Sequence, residues 1–144
     1  MQVAATHPKV DVKVLVVCRE WAHWGWLRVC LQSGGIAVEP GDVDLLRSVQ
    51  GSDLARFDVL LFEAHDLDDV DLSILQRARE TSPLTEVVAI SAGGRVDDAV
   101  QALRSGVYAI LLRPVSEDEL VRTILAASER KRRAEGRMRA LGAR

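Results

Sequence analysis

Little in this sequence points to disulfides, metal knuckles or membranes. Only two of its 144 residues are cysteine, Cys18 and Cys30. They could close one bridge at most, and their spacing matches neither a zinc knuckle nor a redox pair, so both are expected to be buried, reduced thiols. Long apolar runs are missing as well. Stretches such as Val14-Leu15-Val16-Val17 and Ala109-Ile110-Leu111-Leu112 fall far short of the ~18 residues that cross a bilayer. The opening MQVAATHPKVDV lacks a charged-then-apolar export layout, so a cytoplasmic location is the expectation. Residues 1–10 read as a disordered or tag-like N-terminus.

What is present suits one folded domain. Hydrophobic residues make up 48% and charged residues 28%, ordinary values for a globular chain and remote from disordered or collagen-like compositions. The length matches a single core. The formal net charge of −2 hides an uneven split, because residues 130–144 hold seven Lys/Arg against one Glu. The rest of the chain is therefore distinctly acidic.

Four apolar runs rich in Val, Ile and Leu stand at 12–17, 58–62, 86–90 and 108–112, with a weaker one, Ile36-Ala37-Val38, after Gly34-Gly35. They are continuous rather than alternating, which predicts strands covered on both faces, as in a parallel sheet. Helical patterns fall between them. Trp24, Leu27 and Leu31 share a helical face that stops at Gly34-Gly35. Stretches 42–50 and 69–79 are shorter candidates, and Val96, Ala99, Val100 and Leu103 form an i, i+3, i+4, i+7 stripe ending at Gly106. Ser116-Glu117-Asp118-Glu119 is a capping-box match that opens the last helix. Five strands alternating with five helices imply right-handed crossovers and a doubly wound sheet, with any chemistry at the carboxyl ends of the strands.

Those ends read Cys18-Arg19-Glu20, Glu63, Ser91-Ala92 and Arg113-Pro114. With these residues, and with TEVVAISAGGRVDDAVQALRSGVYAILLRPVSEDEL over 85–120, residues 11 to 129 resemble the CheY-like receiver domain of two-component response regulators. The likeness is greatest to receivers of enhancer-binding transcriptional activators. The resemblance implies a flavodoxin-like (βα)5 fold in the α/β class, with an extended C-terminal helix. In that family an acidic pair after the first strand holds Mg²⁺, an Asp after the third accepts phosphate, a Ser or Thr follows the fourth and a Lys-Pro follows the fifth.

Here the scaffold fits and the chemistry departs from it. Cys18 and Arg19 stand at the acidic-pair positions, Glu63 at the phosphoacceptor and Arg113 at the lysine, while Ser91 and Pro114 match. Magnesium needs hard oxygen ligands, which a thiol and a guanidinium do not supply. Arg19 stays protonated and repels a divalent cation, and Glu20 alone is a poor site. No metal or other cofactor is expected. Glu63 carries one methylene more than Asp, extending its carboxylate by roughly 1.5 Å. Arg19 and Arg113 are expected to flank it, each pair having a Coulomb term of about 4 kcal/mol at 4 Å and an effective dielectric of 20, before desolvation. A static charge cluster would then replace the ion. A scrambled pocket without a role, and phosphorylation at Glu63, His65 or Asp66, remain alternatives.

At the family's switch position stands Ile110, with Tyr108 two residues earlier and, by strand alternation, expected on the same side. Trp26 is expected opposite Trp24 on its helix, where it is a candidate contact surface. In the last helix Leu120, Ile124, Ala127, Lys131, Ala134, Met138 and Leu141 form a weak heptad track that Lys131 interrupts. Residues 130–144 are expected to be a basic helical linker or dimerisation extension. Arg130-Lys131-Arg132-Arg133 lacks aromatic stacking partners, so a solvated face is expected rather than a nucleic-acid site.

The expectation is a degenerate, non-enzymatic receiver acting as a phosphorylation-independent protein-interaction module. Its partners are proteins, with a homodimer through the last helices and an output domain beyond Arg144; membranes and nucleic acid are not expected partners of this segment. A phosphorylatable switch and a flavodoxin-like small-molecule sensor are the competing classes. Against the sensor, no Gly-rich phosphate loop follows the first strand.

Overall fold

The computed structural model describes residues 11–142 apart from 49–50, 65 and 94–95, so the expected disordered or tag-like residues 1–10 lie outside the described residues. Five parallel strands, β1 (Lys13–Val17), β2 (Ala37–Gly41), β3 (Val59–Glu63), β4 (Glu86–Ser91) and β5 (Ala109–Leu112), form one sheet in the order β2-β1-β3-β4-β5. This is the flavodoxin-like order, and it explains the unbroken apolar runs. β3 and β4 are flanked by strands and covered on both faces, and every residue of each is buried. β2 lies at an edge, where Pro40 costs no ladder hydrogen bond and most side chains are exposed.

The helices are α1 (Trp21–Ser33), α2 (Val43–Ser48), α3 (Gly51–Ala55), α4 (Asp69–Thr81), α5 (Val96–Arg104) and α6 (Glu117–Gly142). The sequence pattern predicts five; the short α3 after 42–50 is the addition. Side chains alternate along each strand, so two cores form. Leu15, Val17, Leu60, Phe62, Val87 and Ala89 face α2, α4 and α5. Val14, Val16, Val59, Leu61, Val88 and Ile90 face α1 and α6, against Leu27, Leu31, Leu120 and Ile124. Where α1 ends, a Cβ on Gly34 would lie 2.8 Å from Cγ1 of Val121, so glycine lets α1 approach α6. The stripe on α5 marks the helix correctly but not its buried face. Ala102 is fully buried and Ala99 packs on the core, whereas Val96, Val100 and Leu103 are exposed.

Helix α6 continues unbroken through residue 129 and far along the basic tail. Residues 130–132 fold back onto the amino-terminal edge of the sheet rather than presenting a uniformly solvated face. Lys131 is buried, 3.4 Å from Oδ1 of Asp58 and 3.1 Å from Oε2 of Glu135. Arg132 donates to the Asp11 carbonyl oxygen at 2.7 Å, and Arg130 lies 3.4 Å from Glu86. Asp58 and Glu86 are themselves buried at strand starts. Their need for counter-charge holds this turn of the basic run. Beyond it, Met138 and Leu141 are exposed. Among the described residues no helix is long and apolar enough to cross a membrane.

Candidate functional site

The carboxyl ends of β1, β3 and β5 converge on Glu63, the last residue of β3, which is buried. Its Oε1 accepts from the backbone N–H of Arg19 at 2.8 Å and of Glu20 at 3.2 Å. Both belong to the turn entering α1, where backbone N–H groups lack intrahelical partners and favour a negative charge. Its Oε2 contacts Nδ1 of His23 and accepts from Nη2 of Arg113. The carboxylate's partners fix the imidazole tautomer: Nδ1 carries the proton that it donates to Glu63. The Arg113 Nη2 to His23 Nδ1 approach of 3.3 Å is then a proximity rather than a hydrogen bond.

This arrangement corrects one expectation. Arg19 reaches Glu63 through its main chain only; its guanidinium pairs with Asp71, on the first turn of α4. Asp71 is fully buried, and its own N–H is held by the N-cap side chain of Asp68 at 2.9 Å. A buried carboxylate demands a charge partner more strongly than one already holding two backbone N–H groups and an arginine. Arg113 does flank Glu63 as expected. His23 and Asp71 were not singled out in the sequence. The available signals were His23 three residues beyond Glu20, on one helical face, and a third aspartate in Asp68-Asp69-Val70-Asp71.

Cys18 is partly buried beside this network. Burial pushes its thiol up from 9.0 to about 11, the nearby Glu63 adds to the rise and Arg113 opposes it. It is therefore a neutral thiol, without the thiolate that metal ligation or nucleophilic attack requires.

No protein-family model matches the chain. A 112-residue stretch covering 75% of it is 32% identical to the alginate biosynthesis transcriptional regulatory protein AlgB of Pseudomonas syringae pv. tomato, of which it spans 24%. An 84-residue stretch, 57% of the chain, is 36% identical to the response regulator protein PilR of Pseudomonas aeruginosa, of which it spans 19%. The chain thus spans about a quarter or less of the curated relatives it matches. In three dimensions it superposes on a response regulator receiver domain protein from Clostridium thermocellum with a TM-score of 0.73 and 21% identity, covering 84% of this chain and 97% of that one. The chain belongs to the response-regulator receiver family.

As a receiver it carries altered residues where the resemblance places magnesium and phosphate. Four donors already surround the Glu63 oxygens, which uses the lone-pair directions a carboxylate offers. The Arg113 guanidinium sits against one of them, and neither Cys18 nor Arg19 supplies a hard oxygen. These residues do not fit a magnesium ion.

The remaining receiver positions are distributed around this centre. Glu20 is largely exposed, 3.7 Å from Nε2 of His23. Ser91 is buried at the end of β4 and donates its hydroxyl to the Gly93 carbonyl oxygen within its own loop. Asp66 is exposed in the β3–α4 loop, and His65 lies outside the described residues. The Arg113–Pro114 peptide is cis.

Tyr108 and Ile110 do not share a side. Ile110 packs toward α4 and α5, whereas Tyr108 packs toward α1 and α6, with the Arg130 guanidinium 5.7 Å from its ring centroid. Tyr108 precedes the first residue of β5, so strand alternation does not govern it. Trp24 packs against the core and Trp26 is 44% exposed, as the helical spacing predicts.

Proposed function

We propose that this receiver works without phosphoryl transfer, as a non-enzymatic interaction and dimerisation module in the N-terminal part of a response regulator. Its output domain would lie beyond Arg144, a residue outside the described ones. The observation that carries this reading is the saturated Glu63: backbone N–H groups, His23 and Arg113 occupy both oxygens. In this reading Arg113 supplies the fixed positive charge, and the crevice keeps one conformation. The exposed Met138 and Leu141 on the far end of α6 support pairing through the last helices, and the likeness to AlgB, named a transcriptional regulatory protein, supports a transcriptional output.

Spectra of the ¹⁵N-labelled chain with magnesium and beryllofluoride, and intact mass after acetyl phosphate, test the first element. No shift at Ser91 or Arg113 and no added mass are expected. Magnesium-dependent shifts, or a phosphoryl adduct lost in Glu63→Gln, overturn it. Sedimentation at high micromolar concentration tests the second. A dimer dissociated by Met138→Glu with Leu141→Glu is expected, and a monomer of the unaltered chain overturns pairing.

A further inference from the structure

Beside the Glu63 network a cleft of about 540 Å³ opens between α1 and the β5–α6 connection. Its walls are apolar, formed by Trp26, Ile90, Pro114 and Val115, and its polar end is formed by His23 and Arg113. A volume of this size, apolar lining and a few convergent polar groups characterise small-molecule sites rather than core packing defects. The cleft adjoins the Glu63 centre through His23 and Arg113, while Ser91 and the described residues of the β3–α4 loop are not among its lining residues.

Arg113 gives the cleft its chemical preference. Nη2 is committed to Glu63, while Nε and Nη1 have no hydrogen-bond partner among the described residues. A guanidinium is rigid and planar, and both of its two-donor edges include Nη2. Glu63 takes one Nη2 proton, so the second Nη2 proton with its neighbouring nitrogen is the fork left for a planar carboxylate. The N–H groups of Arg19 and Glu20 on the other Glu63 oxygen offset part of the Glu63 charge. Glu20, 3.7 Å from Nε2 of His23, sets the opposite limit: it disfavours a dianion such as a phosphate monoester. A monoanion with an apolar body fits both constraints. The half-exposed indole of Trp26 offers that body a flat aromatic surface.

We propose that this cleft binds a small monocarboxylate with an aromatic or branched aliphatic body, its carboxylate on Arg113 and its body against Trp26. The inference goes beyond the interaction reading and stands independently of it, since ligand binding and acyl-phosphate insensitivity are measured separately. Occupancy would tie α1 to the β5–α6 connection and so give a receiver lacking phosphoryl chemistry an input at the same end of the sheet.

The test titrates the full chain with indole-3-acetate, 4-phenylbutyrate and benzoate, each against its neutral amide, following backbone and indole N–H signals. At least one acid is expected to shift the Trp26 indole and Val115 signals at submillimolar concentration, with its amide weaker by about tenfold or more. Ala22→Phe, which places a ring in the cleft from an exposed position of α1, and Trp26→Ser are each expected to weaken binding by about tenfold. Ala126→Phe, exposed on α6, is expected to leave it unchanged. Folding of each variant is read from its own spectrum. Failure of all three acids to bind at roughly 10 mM, equal binding of acid and amide, or binding that survives both cleft variants overturns the proposal.

Discussion

Arg113 donates to Oε2 of Glu63 from 50 residues away in the sequence, joining the end of β5 to the end of β3 across β4. Glu63 also holds the entry to α1, so one carboxylate ties three βα connections together. Arg19 stands apart, clamping Asp71 at the start of α4.

These partnerships predict specific couplings. Arg113→Ala and Glu63→Gln should each destabilise the fold, and their double-mutant cycle should show a coupling of about 1–3 kcal/mol, since the pair is only partly buried. Arg19→Ala should couple in the same way with Asp71→Asn. With Glu63→Gln it should add to within about 0.5 kcal/mol, because the Arg19 main chain persists in the variant. Denaturant unfolding of the four single and three double variants provides the check, and coupling of the Arg19 side chain to Glu63 would contradict the geometry.

The amino-terminal edge gives a second prediction. Lys131 is 5% exposed and its removal leaves Asp58 buried with the Lys13 N–H at 2.9 Å and the more distant Arg132 at 3.6 Å. Lys131→Ala should cost about 3–5 kcal/mol, with Asp58→Asn in the same chain recovering part of it. Arg133→Ala, on an exposed pair with Glu129, should stay within about 1 kcal/mol. Equal small losses at both positions would show that the basic turn is not an anchor.

Alkaline behaviour gives the third. Because the folded Cys18 thiol ionises near pH 11 rather than 9.0, the unfolded chain loses its proton first. The stability this thiol contributes is full below pH 9 and is lost as pH rises through about 11. Burial pushes Cys30 in the same direction. Unfolding free energy should therefore decline above pH 9, less steeply in Cys18→Ala. At pH 8.5 iodoacetamide should label Cys18 in the native chain about a hundredfold more slowly than in denaturant, following the thiolate fraction. Comparable labelling rates would contradict a raised thiol.

Continuous apolar runs located four of the five strands, because strands covered on both faces must be continuously apolar, and Val59–Glu63 and Glu86–Ser91 are buried throughout. The exposed edge strand β2 showed only as the weaker run at 36–38. The same pattern placed the chemistry at the strand ends, since parallel connections bring those ends to one edge. Residue identity at Cys18, Arg19 and Glu63 was enough to show that the residues of the standard magnesium site are absent. Which charge meets which carboxylate was decided by tertiary structure. Arg19 and Arg113 are both arginines at strand ends, and only the burial of Asp71 under the first turn of α4 directs one guanidinium away from Glu63. His23 became a partner through the direction in which α1 leaves β1. Lys131 reads as a break in a heptad track because sequence spacing measures distance along a helix. That it is buried depends on Asp58, 73 residues earlier, a separation no local pattern encodes.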